Sequence, residues 1–114
     1  MTTNKYIIKS RIWIDGEHGT FLAEGRITLL KEIVLCGSIS AAAKSMKMSY
    51  KKAWEMVNAM NIAAQQPLVI RVSGGKGGGG TVVTDEGIKM IRLFEQLNQN
   101  CKQFLDNELI KIFG

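Results

Sequence analysis

Residues 37–61, with the sequence GSISAAAKSMKMSYKKAWEMVNAMN, predict two short helices joined by a tight turn. Ser40 is placed to cap the first helix and Ser49 the second, because a serine oxygen can accept a hydrogen bond from a backbone N–H of the first helical turn. The three alanines at positions 41–43 allow two helices to approach closely at a steep angle. The stretch therefore predicts a helix-turn-helix over residues 38–61.

The second helix of this unit has two chemically different faces. Ala53, Val57 and Met60 recur at spacings of four and three residues, so they share one buried stripe. The residues turned mostly outward near the start of the helix are Tyr50, Lys51, Lys52, Trp54 and Glu55. A basic outer face on the second helix of a helix-turn-helix is typical of a helix that lies in the major groove of double-stranded DNA.

The net charge of the chain is concentrated around this unit. The formal charge of the whole chain is +5, and residues 37–84 alone carry six basic residues and one acidic residue. The remainder of the chain carries nine of each and is neutral. A solvated basic face would explain the charge but not its confinement, so the distribution favours a polyanion as the partner.

Composition predicts a soluble globular protein without a cofactor. The 114 residues are 46% hydrophobic, and no apolar run approaches the roughly 20 residues of a membrane span. Without a signal-peptide pattern, we expect a cytoplasmic, nucleoid-associated protein with no membrane contact. Cys36 and Cys101 are isolated and predict buried free thiols, while His18 is the only histidine. No paired carboxylates, metal cluster or activated nucleophile is evident, so we expect neither a metal site nor an enzyme.

The N-terminal part predicts a β region over residues 5–23, followed by a helix. Residues 5–15 alternate in polarity with a period of two, which predicts a strand, and residues 20–23 could return as a second. Trp13 is expected either to pack under a neighbouring element or to anchor a partner chain. The first helix is predicted over residues 25–36, with Ile27, Leu30 and Val34 on its buried side and a stop at residue 37.

A β-ribbon wing is predicted over residues 68–84. LVIRV at 68–72 and TVVT at 81–84 are β-forming, and the sequence between them, SGGKGGGG, is a basic, glycine-rich tip. Such a tip can approach DNA phosphates or a minor groove closely. A flexible linker and a nucleotide-binding loop are the alternatives. The order of residues around Lys76 does not match a phosphate-binding loop, because a Gly and then a strand follow this lysine.

A long final helix is predicted over residues 85–112. Met90, Phe94, Leu97, Cys101 and Phe104 follow one another at spacings of four and three residues, which indicates one continuous apolar stripe. This stripe is longer than a small winged domain needs for its own core, so dimerisation is expected. The alternative is a helix that folds back on its own domain.

Two motifs carry a family likeness, SYKKAW at 49–54 and GGKGGGG at 74–80. With them, residues 25–105 resemble the N-terminal winged-helix domain of the ModE family of molybdate-responsive regulators. Through SISAAA at 38–43 and Val83-Thr84 ahead of a helix, the chain is more distantly similar to LysR-type regulators. The expected fold is therefore a winged helix-turn-helix over residues 1–114, mainly α with a small β wing (α+β), an N-terminal hairpin and a long C-terminal dimerisation helix.

The resemblance implies a homodimeric bacterial or archaeal transcription factor. Its recognition helix would begin at Ser49, its wing would be centred on Lys76, and it would dimerise through the N-terminal strand region and the last helix. Members of that family continue into molybdate-binding domains, whereas this sequence ends at Gly114. We therefore expect a stand-alone DNA-binding form and assign no small-molecule effector.

The expected partner is double-stranded DNA, bound through side chains of the helix-turn-helix and the wing. Lys51 and Lys52 can reach phosphates or guanine edges, and Tyr50 can donate to a phosphate or contact a thymine methyl group. Trp54 is expected either in the core or at the edge of the groove. The candidate DNA-binding residues are Ser38, Ser40, Ser49, Tyr50, Lys51, Lys52, Trp54, Arg71, Lys76 and Gly77.

Two functions other than that of a sequence-specific regulator stay open at this point. One is a winged-helix adaptor that binds proteins and has no DNA target, and the other is a non-specific architectural DNA-binding protein. The confined positive charge argues against the adaptor.

Overall fold

The computed structural model describes residues 5–73 and 80–114 of the chain. Over these residues, helices alternate with two antiparallel pairs of short strands, as predicted for a winged helix-turn-helix that is mainly α. The elements are β1 (Trp13–Gly16), β2 (Gly19–Ala23), α1 (Glu24–Cys36), α2 (Ile39–Ser45), α3 (Tyr50–Ala63), β3 (Val69–Val72), β4 (Gly80–Val83) and α4 (Asp85–Phe113).

The N-terminal hairpin is shorter than the sequence predicted. β1 pairs with β2, with Trp13 opposite Ala23, while residues 5–12 lie outside any strand. The prediction of a strand over residues 5–15 is therefore wrong for its first part. Because β2 ends opposite Trp13 and the chain then turns into α1, β2 has no backbone left to pair with residues 5–12. Trp13 is 58% exposed, so the prediction that it packs under a neighbouring element is wrong within this chain.

Helix α1 forms the centre of the core. Its buried residues are Ile27, Leu29, Leu30 and Ile33, and it contacts the hairpin, α2, α3, α4 and β4. The prediction that Val34 belongs to the buried side is wrong, since this side chain is 51% exposed. Contacts on several sides of α1 widen its buried face enough to include Leu29. The rest of the core is formed by Leu22, Ile39, Ala42, Ala43, Ala53, Val57, Met60, Leu68, Val69, Val83, Ile91 and Phe94.

Helices α2 and α3 form the helix-turn-helix, with one cap different from the prediction. Ser38, not Ser40, caps α2, and its Oγ accepts a hydrogen bond from the Ala41 N–H at 3.0 Å. Ser38 has extended backbone angles, whereas Ser40 already lies inside the helix. Ser49 caps α3 as predicted by accepting from the Lys52 N–H at 3.1 Å. These caps satisfy backbone donors that have no partner within the helix.

The wing strands lie within one residue of their predicted positions. β3 and β4 pair antiparallel from Val69↔Val83 to Val72↔Gly80. The buried members of this ribbon are Val69 and Val83, which attach its base to the core. The tip, residues 74–79, falls outside the described residues, and so do the candidate DNA-binding residues Lys76 and Gly77.

Helix α4 begins against the base of the wing. Thr84 caps it by accepting from the Gly87 N–H at 3.0 Å, and its hydroxyl donates to the Pro67 carbonyl at 2.7 Å. Gly87 is buried, and a Cβ at this position would collide with the Leu68 carbonyl oxygen and the Val83 side chain. The missing side chain at Gly87 therefore allows the helix to approach the ribbon closely.

The second half of α4 extends away from the core. Ile91 and Phe94 are buried, but Leu97 and Phe104 are 47% and 62% exposed. The predicted stripe is therefore continuous in sequence, yet only its first part is covered within this chain. The described molecule is elongated, with extents of 60 × 29 × 22 Å. Among the described residues, no helix is both long enough and apolar enough to span a membrane.

The two cysteines are free, as predicted, but they are not buried. Cys36 is exposed at the end of α1, and Cys101 is half-buried on α4. The apolar pattern around each residue was a poor guide, because Cys36 lies beyond the last buried residue of α1 and Cys101 lies beyond the last buried residue of α4. Across the described ranges, no group of three or more His, Cys, Asp or Glu residues is arranged to hold a metal ion.

Candidate nucleic-acid interface

Helix α3 presents a polar and basic surface on the side opposite the core. Ala53, Val57 and Met60 are buried, as the spacing predicted. Lys51 and Lys52 are exposed on the first turn. The serine cap at Ser49 starts the helix at a defined residue, so the direction of these side chains follows from the helix geometry. The first turn of α3 is therefore available to a partner.

Two aromatic side chains share this surface. Tyr50 and Trp54 are 47% and 44% exposed, and they stand four residues apart on one side of the helix. Of the two positions expected for Trp54, the structure favours the surface, since the residue is not part of the buried core. Half-exposed aromatic rings beside lysines can contact both the apolar and the anionic parts of a nucleic acid.

The wing and the helix-turn-helix meet at a surface cavity of about 440 Å³. Ser38 and Ser40 line it from the α2 side, Tyr50 from α3, and Arg71 and Thr81 from the wing. The structure thus brings together four of the predicted site residues, which come from three separate stretches of sequence. Ser49 lies near them as the α3 cap, but it does not line the cavity.

The basic residues of this region have no acidic partners in the described parts of the chain. The ion pairs found there are Glu17–His18, Lys31–Glu95 and Glu108–Lys111, and all three lie outside the helix-turn-helix and the wing. Lys44, Lys47, Lys51, Lys52 and Arg71 therefore contribute uncompensated positive charge to one end of the molecule.

A backbone hydrogen bond that has no signal in the sequence attaches the wing to the start of the helix-turn-helix. The Thr81 N–H donates to the Gly37 carbonyl at 2.9 Å. A Cβ on Gly80 would lie 3.0 Å from the same oxygen, so the strand approaches very closely here. Gly37 itself ends α1 with a φ of 76°, a left-handed conformation that glycine adopts without strain.

Asn61 forms a second attachment that sequence reasoning missed. Its side-chain amide donates to the Val69 carbonyl at 2.9 Å and its Oδ1 accepts from the Leu68 N–H at 2.8 Å. The end of α3 is thereby tied to the start of β3. Nothing in the sequence pattern distinguishes Asn61 from the other polar residues of the helix, because its partners are backbone groups seven and eight residues away.

Arg26 is a basic residue with a structural role, away from this cavity. Its guanidinium donates to the Thr20 carbonyl oxygen and thereby joins α1 to the hairpin. Burial lowers the pKa of Arg26 from its ordinary value, because desolvation disfavours the charged form. Positive charge alone is therefore not a sufficient criterion for assigning a residue to the nucleic-acid interface.

Comparison with known proteins identifies the type of domain. The family described as "Bacterial regulatory helix-turn-helix protein, lysR family" matches residues 25–88. Among solved structures, a LysR family transcriptional regulator shares the fold with a TM-score of 0.57 at 22% sequence identity, covering 80% of this chain and 30% of that one.

Curated relatives also confirm the resemblance to ModE regulators. The molybdenum transport protein ModE of Azotobacter vinelandii is 41% identical over 106 residues, covering 93% of this chain and 38% of the relative. The DNA-binding transcriptional dual regulator ModE of Escherichia coli K12 is 51% identical over 81 residues, covering 71% of this chain and 31% of the relative. The chain thus spans about a third of the length of these relatives.

The matched proteins are regulators, and the matched residues cover the DNA-binding type of fold described above. The family is one of regulators and not of enzymes, in agreement with the sequence prediction. The matched residues run from the second residue of α1 to the first turn of α4, so they include the helix-turn-helix and the wing. The chain belongs to the lysR family of bacterial regulatory helix-turn-helix proteins.

Proposed function

We propose that this protein is a sequence-specific transcriptional regulator that binds double-stranded DNA as a homodimer. The observation that carries the proposal is the convergence of uncompensated basic and hydroxyl side chains on one surface, formed by the start of α3 and the wing. The relationship to the ModE regulators supports the same function, and the proposal is confined to DNA binding because the chain spans only part of those relatives. Such a protein would act in the cytoplasm, on the nucleoid.

In the proposed complex, α3 lies in the major groove and the wing lies along the adjacent backbone. Lys51 and Lys52, on the exposed first turn of α3, would contact guanine edges or phosphates. Ser49 and Trp54 would contact the backbone and the edge of the groove, and Lys76 and Gly77 at the wing tip would lie against phosphates or the minor groove. Base contacts would supply sequence preference, and phosphate contacts would supply most of the salt-dependent affinity.

The dimer would form through the end of the molecule opposite the DNA-binding surface. Leu97, Cys101 and Phe104, here named the distal stripe, are exposed or half-buried on α4. Tyr6, in the segment before β1, packs edge-on against the Phe113 ring with centroids 6.3 Å apart, which brings this segment beside the end of α4. Residues 5–12 have no strand partner in the described chain, so their backbone is free to pair with a second copy.

Selection of bound fragments from a random DNA pool, followed by a salt titration on the best duplex, tests the proposal. We expect a two-fold symmetric motif whose half-sites lie about 34 Å apart, one helical turn. Lys51→Ala and Lys52→Ala should each weaken binding and reduce the salt slope by about 1 per protomer, or about 2 for the dimer, as expected for the loss of one phosphate contact in each half-site. Arg92→Ala is the matched control, because this exposed cation on α4 lies outside the proposed interface.

Three results would contradict the proposal in different ways. Binding without an enriched motif would indicate a non-specific architectural protein. A motif consisting of one half-site would exclude the two-fold dimer on DNA. Absence of binding at moderate salt would favour an adaptor that recognises proteins.

A further inference from the structure

The cavity between the wing and the helix-turn-helix has a more specific use than general attraction of DNA. We infer that Arg71, Tyr50 and Ser40 together hold a single phosphodiester group of the DNA backbone. This inference rests on the proposed function, and it names the group that the cavity binds and the side chains that bind it.

The strand register directs Arg71 towards the helix-turn-helix. Arg71 is paired with Thr81, and the next pair on the same face of the ribbon, Val69 with Val83, is buried against the core. Side chains alternate between the two faces of a strand, so Arg71 lies on the face that the ribbon turns towards α2 and α3. Both Arg71 and Thr81 line the cavity, as this register requires.

Several side-chain donors that line this cavity have no hydrogen-bond partner among the described residues. The Ser38 oxygen accepts a hydrogen bond as the cap of α2, and the Thr81 N–H donates to the Gly37 carbonyl. By contrast, no hydrogen bond or ion pair within the described ranges engages the side chains of Ser40, Tyr50 or Arg71. The described lining contains no Asp or Glu, so the cavity offers donors and one positive charge without a competing carboxylate.

This set of donors matches an anion with several oxygen acceptors. A guanidinium presents a rigid fork that fits two oxygens of a phosphate, and the two hydroxyls can donate to its remaining acceptors. The cavity opens on the same surface as the first turn of α3, where a DNA backbone bordering the major groove would pass. A backbone phosphodiester is therefore the source that the position favours, while free inorganic phosphate shares the chemistry.

Methylphosphonate scanning tests this assignment. Each phosphate of a duplex selected by the wild-type protein is replaced in turn by a neutral methylphosphonate, and affinity is measured for wild type, Arg71→Ala, Tyr50→Phe and Ser40→Ala. At one position in each half-site we expect neutralisation to weaken wild-type binding about tenfold, the equivalent of one charge-assisted contact. The same neutralisation should have little further effect on Arg71→Ala, and a reduced effect on the two hydroxyl variants.

Controls separate a binding role from a structural one. Arg92→Ala should retain the full wild-type scan, and thermal unfolding should show that each cavity variant remains folded. Arg71→Lys should recover part of the affinity, since it keeps the charge but not the planar fork. Inorganic phosphate, added at constant ionic strength, should compete no better than chloride if the cavity binds DNA backbone.

The outcomes distinguish this inference from the proposed function. Loss of sensitivity at one common phosphate of each half-site for all three variants supports the inference. Loss at three different phosphates, or at none, with wild-type DNA binding retained, overturns the inference and leaves the regulator intact. Specific competition by inorganic phosphate that Arg71→Ala abolishes would assign the cavity to a free anion instead. Failure of the wild-type protein to bind any duplex overturns both.

Discussion

The two ends of this molecule differ in how completely the chain covers its own apolar residues. All described residues that are buried lie between Leu22 and Phe94, the part that contains the helix-turn-helix and the wing. None of the described residues in 5–21 or 95–114 is buried, although these segments contain Tyr6, Leu97 and Phe104.

The difference separates the part of the chain that encloses a core from the part whose apolar side chains stay exposed. Between Leu22 and Phe94 the core side chains are enclosed, and the surface proposed to bind DNA carries basic and hydroxyl-bearing side chains beside the half-exposed rings of Tyr50 and Trp54. At the distal end, large apolar side chains remain exposed on a helix that extends beyond its domain. Exposed apolar stripes of this kind are typical of interaction surfaces, and a second copy of the chain is the partner proposed for this one.

The largest expected contrast is in stability. Leu30→Ala removes a fully buried side chain from the centre of the core and should lower the free energy of unfolding by about 2–5 kcal/mol. Ile110→Ala, at a 47% exposed position on the distal end, should cost less than about 1 kcal/mol in dilute protein. Urea unfolding of both variants measures this contrast, and equal losses would contradict the division into two ends.

Self-association of the protein should be sensitive to substitutions in the distal stripe, where substitutions are expected to have little effect on stability. Phe104→Glu places a charge within the distal stripe and should weaken self-association at least about 100-fold, or about 2.8 kcal/mol, because the charge must be desolvated in the interface. Gln99→Glu adds the same charge on another side of α4 and should leave association nearly unchanged. Sedimentation equilibrium distinguishes the two variants. Equal effects of both would rule out the stripe as the interface.

A smaller effect on the free energy of unfolding is expected at Gly87, where the start of α4 packs against the base of the wing. Gly87→Ala should destabilise the protein by about 1–3 kcal/mol, because the new methyl group would collide with the Leu68 carbonyl oxygen. Gly25→Ala is the matched control, since a Cβ there has no atom within 4 Å and the position is helical. It should stabilise α1 by up to about 1 kcal/mol. Melting temperatures should therefore move in opposite directions, and a shift of the same sign for both would be evidence against the close approach at Gly87.

The smallest effect is expected from the ion pair that joins α1 to α4. The Lys31 ammonium lies 2.5 Å from the Glu95 carboxylate, and both side chains are about half exposed. Lys31→Ala should lower stability by about 0–1 kcal/mol, and the difference should shrink further at high salt. Denaturant unfolding at two salt concentrations tests this. A loss above about 2 kcal/mol would mean that the pair contributes more to the α1–α4 junction than its exposure allows.

Much of the fold could be predicted because local signals agreed with one another. Apolar spacing identified the buried side of α3, and the serine cap identified its start. The errors arose where distant parts of the chain decide burial. Val34 matches the apolar pattern of α1 but no element covers it, and residues 5–12 alternate like a strand without a strand to pair with.

The candidate site was predicted less completely than the fold. Individual residues such as Tyr50 and Arg71 could be selected by charge, hydroxyl groups and position in a motif. Their meeting at one cavity depends on the register of β3 with β4 and on the backbone contact between Thr81 and Gly37. Neither has a signature in a single sequence, because backbone groups are the same in every residue except proline.

The contacts of Asn61 and Gly37 have a consequence for regulation. Since Asn61 joins the end of α3 to β3 and Gly37 joins the end of α1 to β4, the reading helix and the wing have few degrees of freedom relative to each other. A signal that changes the affinity for DNA would therefore act on the distance and angle between the two protomers of the proposed dimer, each of which keeps its helix α3 and wing in a fixed arrangement. Helix α4 would transmit such a change, because its 29 residues extend over about 43 Å and connect the helix-turn-helix and wing of each protomer to the proposed dimer interface.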